Sequence, residues 1–264
     1  MAGFLFSGSK RPGKTIRLTA TGGPPVETIL RCSYATTSVN FITWNKAYSV
    51  FPVQTLIHHT FYALRLWNDE FGALLREQVN QGWTNRDLVW PDLTTDARHR
   101  IKNGHRRVGD QSSLVISLNT NCVQKASTPD SAIEFAQFEV FAEPDFPVFG
   151  SERYGSPEIR VEVLTSPALR HDYTFASTSW SKFVSERLQR WVILEVLKLK
   201  VEERPQQFAN GIPYDFNISL PSDFHPPGIW DYADNMVPKW YREWEDKPPE
   251  EQISFGRPTR RRRR

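Results

Sequence analysis

The chain has 264 residues, 39% of them hydrophobic and 13% aromatic, with a formal net charge of +3. That aromatic content excludes global disorder despite 19 prolines, because each ring carries a large apolar area into a core. Arg257 and Arg260–Arg264 supply six of the positive charges, and without them the chain stands near −3, which excludes a positive field over the whole body.

In chain order, residues 1–14 carry Gly, Ser, Lys, Arg and Pro with little apolar content and are expected to form a flexible basic arm. Two β-leaning runs follow, Thr15 to Ala20 and Val26 to Tyr34, separated by the breaker Gly22-Gly23-Pro24-Pro25. A long helix is predicted from Pro52 to about Gln81, since Ile57, Phe61, Leu64, Phe71, Leu74, Leu75 and Val79 recur at three- and four-residue steps. Trp67-Asn68-Asp69 is the place where it would divide. From Trp83 to Asp110 the chain is polar and turn-rich, with a short helix expected near Asp96 to Lys102. Strands are predicted at Ser113 to Leu118, Ala132 to Phe141 and Glu158 to Leu164. A second helix is predicted from Thr178 to about Val201 on the stripe Trp180, Phe183, Val184, Leu188, Trp191 and Val192. Beyond Pro205 comes one further strand, Tyr214 to Leu220, and then a Pro- and Trp-rich stretch.

These elements predict an α+β fold in a single domain, a mostly antiparallel sheet with two long helices. The expected layout is an arm over residues 1–14, a globular body over 15–223, an extended Pro/aromatic strap over 224–255 and an Arg-rich tail over 256–264. No apolar window approaches the length of a membrane span, and Phe4-Leu5-Phe6 is too short for a signal-peptide core. Two cysteines, Cys32 and Cys122, are too few for a disulfide framework. The expectation is an intracellular protein, nuclear or cytoplasmic, without a membrane partner.

Four sets of residues are candidates for chemistry. Gly8-Ser9-Lys10-Arg11-Pro12-Gly13-Lys14-Thr15 fits the phosphate-loop pattern, in which Gly8 and Gly13 shape the loop while Lys14 and Thr15 reach phosphate and magnesium. That chemistry requires a helix directly after the loop, whereas Ile16, Leu18 and Ala20 alternate as in a strand, so no cofactor is expected there. Arg98, Arg100, Lys102, Arg106 and Arg107 form the densest basic cluster inside the body, able to meet several phosphates or to be balanced by Asp92, Asp96 and Asp110. His58-His59 and the pair His99/His105 lack the four-residue helical step of a metal site, so no metal is expected. Arg260, Arg261, Arg262, Arg263 and Arg264 make a compact cationic tail suited to nuclear import or to non-specific grip on nucleic acid.

The resulting expectation is a non-enzymatic interaction protein whose body binds a protein partner and whose tail localises it or holds nucleic acid. Two alternatives are a nucleic-acid packaging or coat-like protein and a nucleotide-binding enzyme acting through Gly8 to Thr15.

Overall fold

The computed structural model describes residues 3–7, 15–19, 21–65, 68–86, 101, 104–121, 128–141, 158–208, 220–221 and 223–248. The strands β1 (Gly3–Ser7) and β2 (Thr15–Thr19) pair antiparallel, with Ser7 opposite Thr15. Composition predicts an arm through residue 14, yet a strand already begins at Gly3. The run from Val26, expected as a strand, is instead the helix α1 (Pro25–Cys32). Pro25 occupies its first turn, where the missing N–H costs nothing, and Glu27 pairs with Arg31 one turn on at 2.8 Å.

The strands β3 (Asn40–Ile42) and β4 (Lys46–Ser49) form a hairpin that leads into the largest departure from the sequence pattern. The single helix expected over 52–81 is three elements. A π-helical turn over Val53–Ile57 is followed by β5 (Thr60–Tyr62) and then by α2 (Asp69–Asn80). His59, at φ 49°, takes the left-handed conformation that ends the first piece. Asn68 starts the last, its Oδ1 accepting the Phe71 N–H at 2.9 Å. After α2 the strand β6 (Thr84–Arg86) returns parallel to β5, completing a strand–helix–strand crossover.

The next strands are β7 (Gly104–Arg107) and β8 (Leu114–Ser117), then a short helix α3 (Asp130–Glu134) and β9 (Gln137–Phe141). The run from Ala132, expected as one strand, is thus helix first and strand afterwards. β10 (Glu158–Arg160) and β11 (Glu162–Leu164) divide at Val161, and β12 (Tyr173–Phe175) closes the β portion. All pairings among β7–β12 are antiparallel: β10–β9–β7 and β11–β12 are separate sheets, and β8 joins β3–β4 to give the order β3–β4–β8.

The second predicted helix is present as α4 (Thr178–Lys198), started by the Ser177 hydroxyl, which accepts the Trp180 N–H. The Pro/aromatic stretch is only partly an extended strap. Residues 223–236 run without helix or strand, and they are fastened by the Trp230 indole to the Pro167 carbonyl at 3.1 Å and by Asp234 accepting the Arg170 N–H at 2.8 Å. The chain then forms α5 (Val237–Glu245), because Pro238 falls in its first turn and Val237, Trp240, Tyr241 and Trp244 share its buried side. The expected short helix near Asp96 to Lys102 and the expected strand Tyr214 to Leu220 fall almost entirely outside the described residues.

Among the described residues, three apolar clusters hold these elements. One lies between α4, α5 and the strap, a second between α1, β4 and β9, and a smaller third gathers Ala35, Phe61, Ala63 and Phe71. The fold is a single α+β domain with mostly antiparallel pairing, and no helix among the described residues is long and apolar enough to cross a membrane.

Candidate interaction surface

β8 comes from the sequence Leu114-Val115-Ile116-Ser117, apolar enough for a strand but without the polar alternation of one half-buried in a sheet. Its partner β4 aligns Ser49, Ala47 and Lys46 with Leu114, Ile116 and Ser117, while Tyr48 faces Val115. On the inner side of the sheet Phe41 and Tyr48 stack at 5.0 Å between centroids over the second apolar cluster. The outer side carries the row Ile42–Ala47–Ile116, one residue from each strand, with Ile42 73% and Ile116 49% exposed. Leu114 and Leu118 flank Ile116 on that side at 39% and 38%.

All four residues of β8 are exposed, and among the described residues β8 is the last strand of its sheet. The Leu118 N–H donates to the Asn45 carbonyl at 2.8 Å, which sets the phase of the ladder. In an antiparallel pair the bonded positions alternate, so Leu114, Ile116 and Leu118 turn their backbone groups toward β4, and Val115 and Ser117 turn theirs outward. No charged residue occurs from Gln111 to Gln124, so the edge lacks the lysine or proline that commonly blocks strand addition.

The turn that delivers β8 is tightly held. Asp110 accepts from Arg106 Nε and Nη2, both at 2.9 Å, from the Ser112 N–H at 2.9 Å and from the Ser113 hydroxyl at 3.2 Å. The Arg106 guanidinium lies over the rings of Phe51 and Phe138, at 5.0 and 5.6 Å. Burial would push the Asp110 carboxyl up, but the hydrogen bonds and charge of Arg106, with the Arg107 and Ser112 N–H groups, outweigh it and hold the carboxyl below its ordinary value. Gly109 admits the close approach of this turn to α3, since a β-carbon there would sit 2.8 Å from Glu134 Cβ. At the other end of the strand pair, Lys46 meets Asp130 at 2.7 Å and Glu134 at 2.6 Å, and those two hydrogen-bonded carboxylates raise its pKa.

Asp110→Ala is expected to cost about 2–3 kcal/mol at neutral pH, because it strands a half-buried guanidinium without its partner. The depressed folded pKa means that the carboxylate's contribution is fully present above the unfolded value of about 3.9 and is lost as pH falls through the lower folded value. Urea melts of both proteins should therefore differ clearly at neutral pH and converge in acid; a constant gap would reject the ion-pair account.

The residues singled out from sequence are placed as follows. Thr15 opens β2 opposite Ser7, so the phosphate-loop match connects two antiparallel strands rather than a strand and a helix; Gly8, Gly13 and Lys14 lie outside the described residues. Arg98, Arg100, Lys102, Cys122 and Arg260–Arg264 also lie outside them. Arg106 and Arg107 are both engaged within the fold: Arg106 as above, Arg107 over the rings of Tyr241 at 4.5 Å and Phe135 at 4.8 Å. Cys32 is a free, exposed thiol at the end of α1, and His59 lies 5.4 Å from the Trp83 ring. A cavity of about 300 Å³ beside α1, lined by Pro24, Pro25, Ala132, Arg170, His171 and Asp172, mixes both signs of charge without a convergent set of like groups.

The β8 edge is what sequence reasoning missed. Its signal was available in the three consecutive apolar residues Leu114–Ile116 inside a charge-free stretch. No family model matches the chain, and neither does any curated protein or solved structure.

Proposed function

We propose that this chain is a non-enzymatic interaction protein that receives an extended strand along β8, with the Arg260–Arg264 tail as a separate electrostatic handle for nucleic acid or nuclear import. One observation carries the first half: an apolar edge strand, exposed along its whole length, is held in place by the Arg106–Asp110 turn instead of being capped by charge. A pre-formed edge gives main-chain hydrogen bonds to an incoming strand, and Leu114, Ile116 and Leu118 give it side-chain contacts. The second half is supported by charge distribution, since the chain is near −3 without its six C-terminal arginines.

Affinity purification of the full chain, with and without nuclease, tests both halves against two variants. Val115→Pro removes an outward N–H while leaving the bonds to β4 intact, and it should release protein partners that resist nuclease. Deleting Arg260–Arg264 should release only nuclease-sensitive partners. The same deletion should flatten the slope of log affinity against log salt on duplex oligonucleotides by about 4.5 units if all five charges neutralise phosphates. Equal slopes, with unchanged nuclear distribution, would reject a role for the tail.

A further inference from the structure

We infer that the strand added to β8 is β8 of a second copy of this chain, paired antiparallel about a two-fold axis that passes between the two Ile116 residues. This deepens the strand-addition reading above and rests on it. Because Val115 and Ser117 turn their N–H and C=O groups outward, a second β8 can bond only through these two positions. Placing Val115 of one copy opposite Ser117 of the other satisfies both, twice over, by symmetry.

That register brings Ile116 opposite Ile116 as the close, non-hydrogen-bonded pair, and Leu114 opposite Leu118 on either side. The outer faces then match residue for residue, Leu-Ile-Leu against Leu-Ile-Leu. The row already present in one copy continues across the axis as Ile42–Ala47–Ile116–Ile116–Ala47–Ile42, spanning a six-stranded sheet. No like charges are brought together, because the stretch from Gln111 to Gln124 carries none. The opposite edge of the sheet, β3, is only three residues long. Pairing β8 with a second β8 is also isologous, so it closes at two copies, whereas β8 on β3 would propagate. An edge contact this short buries less than the roughly 1,200 Å² of a stable interface, so the dimer is reversible and concentration-dependent.

The test uses sedimentation equilibrium of the full chain over a wide concentration range. Wild type should pass from monomer to dimer, with no higher species. Ile116→Lys and Ile116→Glu should each remain monomeric with unchanged thermal melts, since each places like charges across the axis at a half-exposed site. Mixing the two variants should restore a dimer containing one of each, because only this register sets position 116 against itself. Wild type that stays monomeric throughout, or a mixture that does not reassociate, overturns the homodimer. If Val115→Pro nevertheless releases a different protein in the affinity experiment, strand addition at β8 stands with another occupant; if it releases none, both readings fall.

Discussion

Phe61→Ala is expected to lower the unfolding free energy by about 3–5 kcal/mol. Phe61 is wholly buried in β5, in the small cluster with Ala35, Ala63 and Phe71, and Tyr34, Leu74, Leu75 and Trp83 pack around it. Two of its walls are set by backbone pairing, β5 with β6 and the bridge Ala35–Ala63, so they have little freedom to close over the void. Ile57→Ala serves as the control. A continuous helix would set Ile57 and Phe61 one turn apart on one face and make both substitutions costly. In the observed fold Ile57 is 67% exposed at the end of the π-helical turn, and its loss should be nearly neutral. Denaturant melts of the two variants decide between these arrangements: equal destabilisation would reject the break at His59.

The second large effect belongs to the seam between α4 and α5. Trp180 is 2% exposed and makes ring contacts with Tyr241 at 5.1 Å, Trp244 at 5.8 Å and Phe183 at 6.0 Å between centroids. Trp180→Ala should cost about 3–5 kcal/mol and remove much of what α5 packs against. Hydrogen exchange should then show the α5 amides losing protection ahead of the amides of β9, which belongs to a different cluster. Uniform loss of protection through both clusters would show instead that the domain opens as one unit.

What could be read from sequence was governed by how far each signal is local. The α4 helix was legible because its apolar stripe persists over five turns. The helix predicted over 52–81 failed because Phe61, Tyr62, Ala63 and Leu64 are buried in succession; a short, fully enclosed strand has no alternation to oppose an accidental three–four pattern. For α1 the helix signals were present but outweighed: Pro25 in the first turn and the Glu27–Arg31 step both mark a helix, against the β-leaning Val26–Tyr34 run. The prolines of the C-terminal stretch suggested an extended path throughout, yet Pro238 sits where a helix accepts one. The strand at Leu114–Ser117 was visible, but its place at an edge was not, since sheet order is decided by partners distant in sequence. Arg106 and Arg107 looked like part of a basic surface because the rings and carboxylate that receive them come from other elements or lie beyond a turn.

The sheet order β3–β4–β8 also has a consequence during synthesis. The hairpin β3–β4 is complete by Ser49, but the strand that covers the far side of β4 begins at Leu114, roughly 65 residues later. At about 5–20 residues per second, the ribosome leaves β4 with an open side for several seconds. Throughout that interval the nascent chain displays Ile42 and Ala47 beside unpaired backbone, which is the kind of surface that holding chaperones bind. A ribosome stalled between about residues 95 and 150, where the hairpin but not β8 has left the exit tunnel, should accordingly carry more chaperone than one stalled past about residue 160, where β8 can take its place on β4.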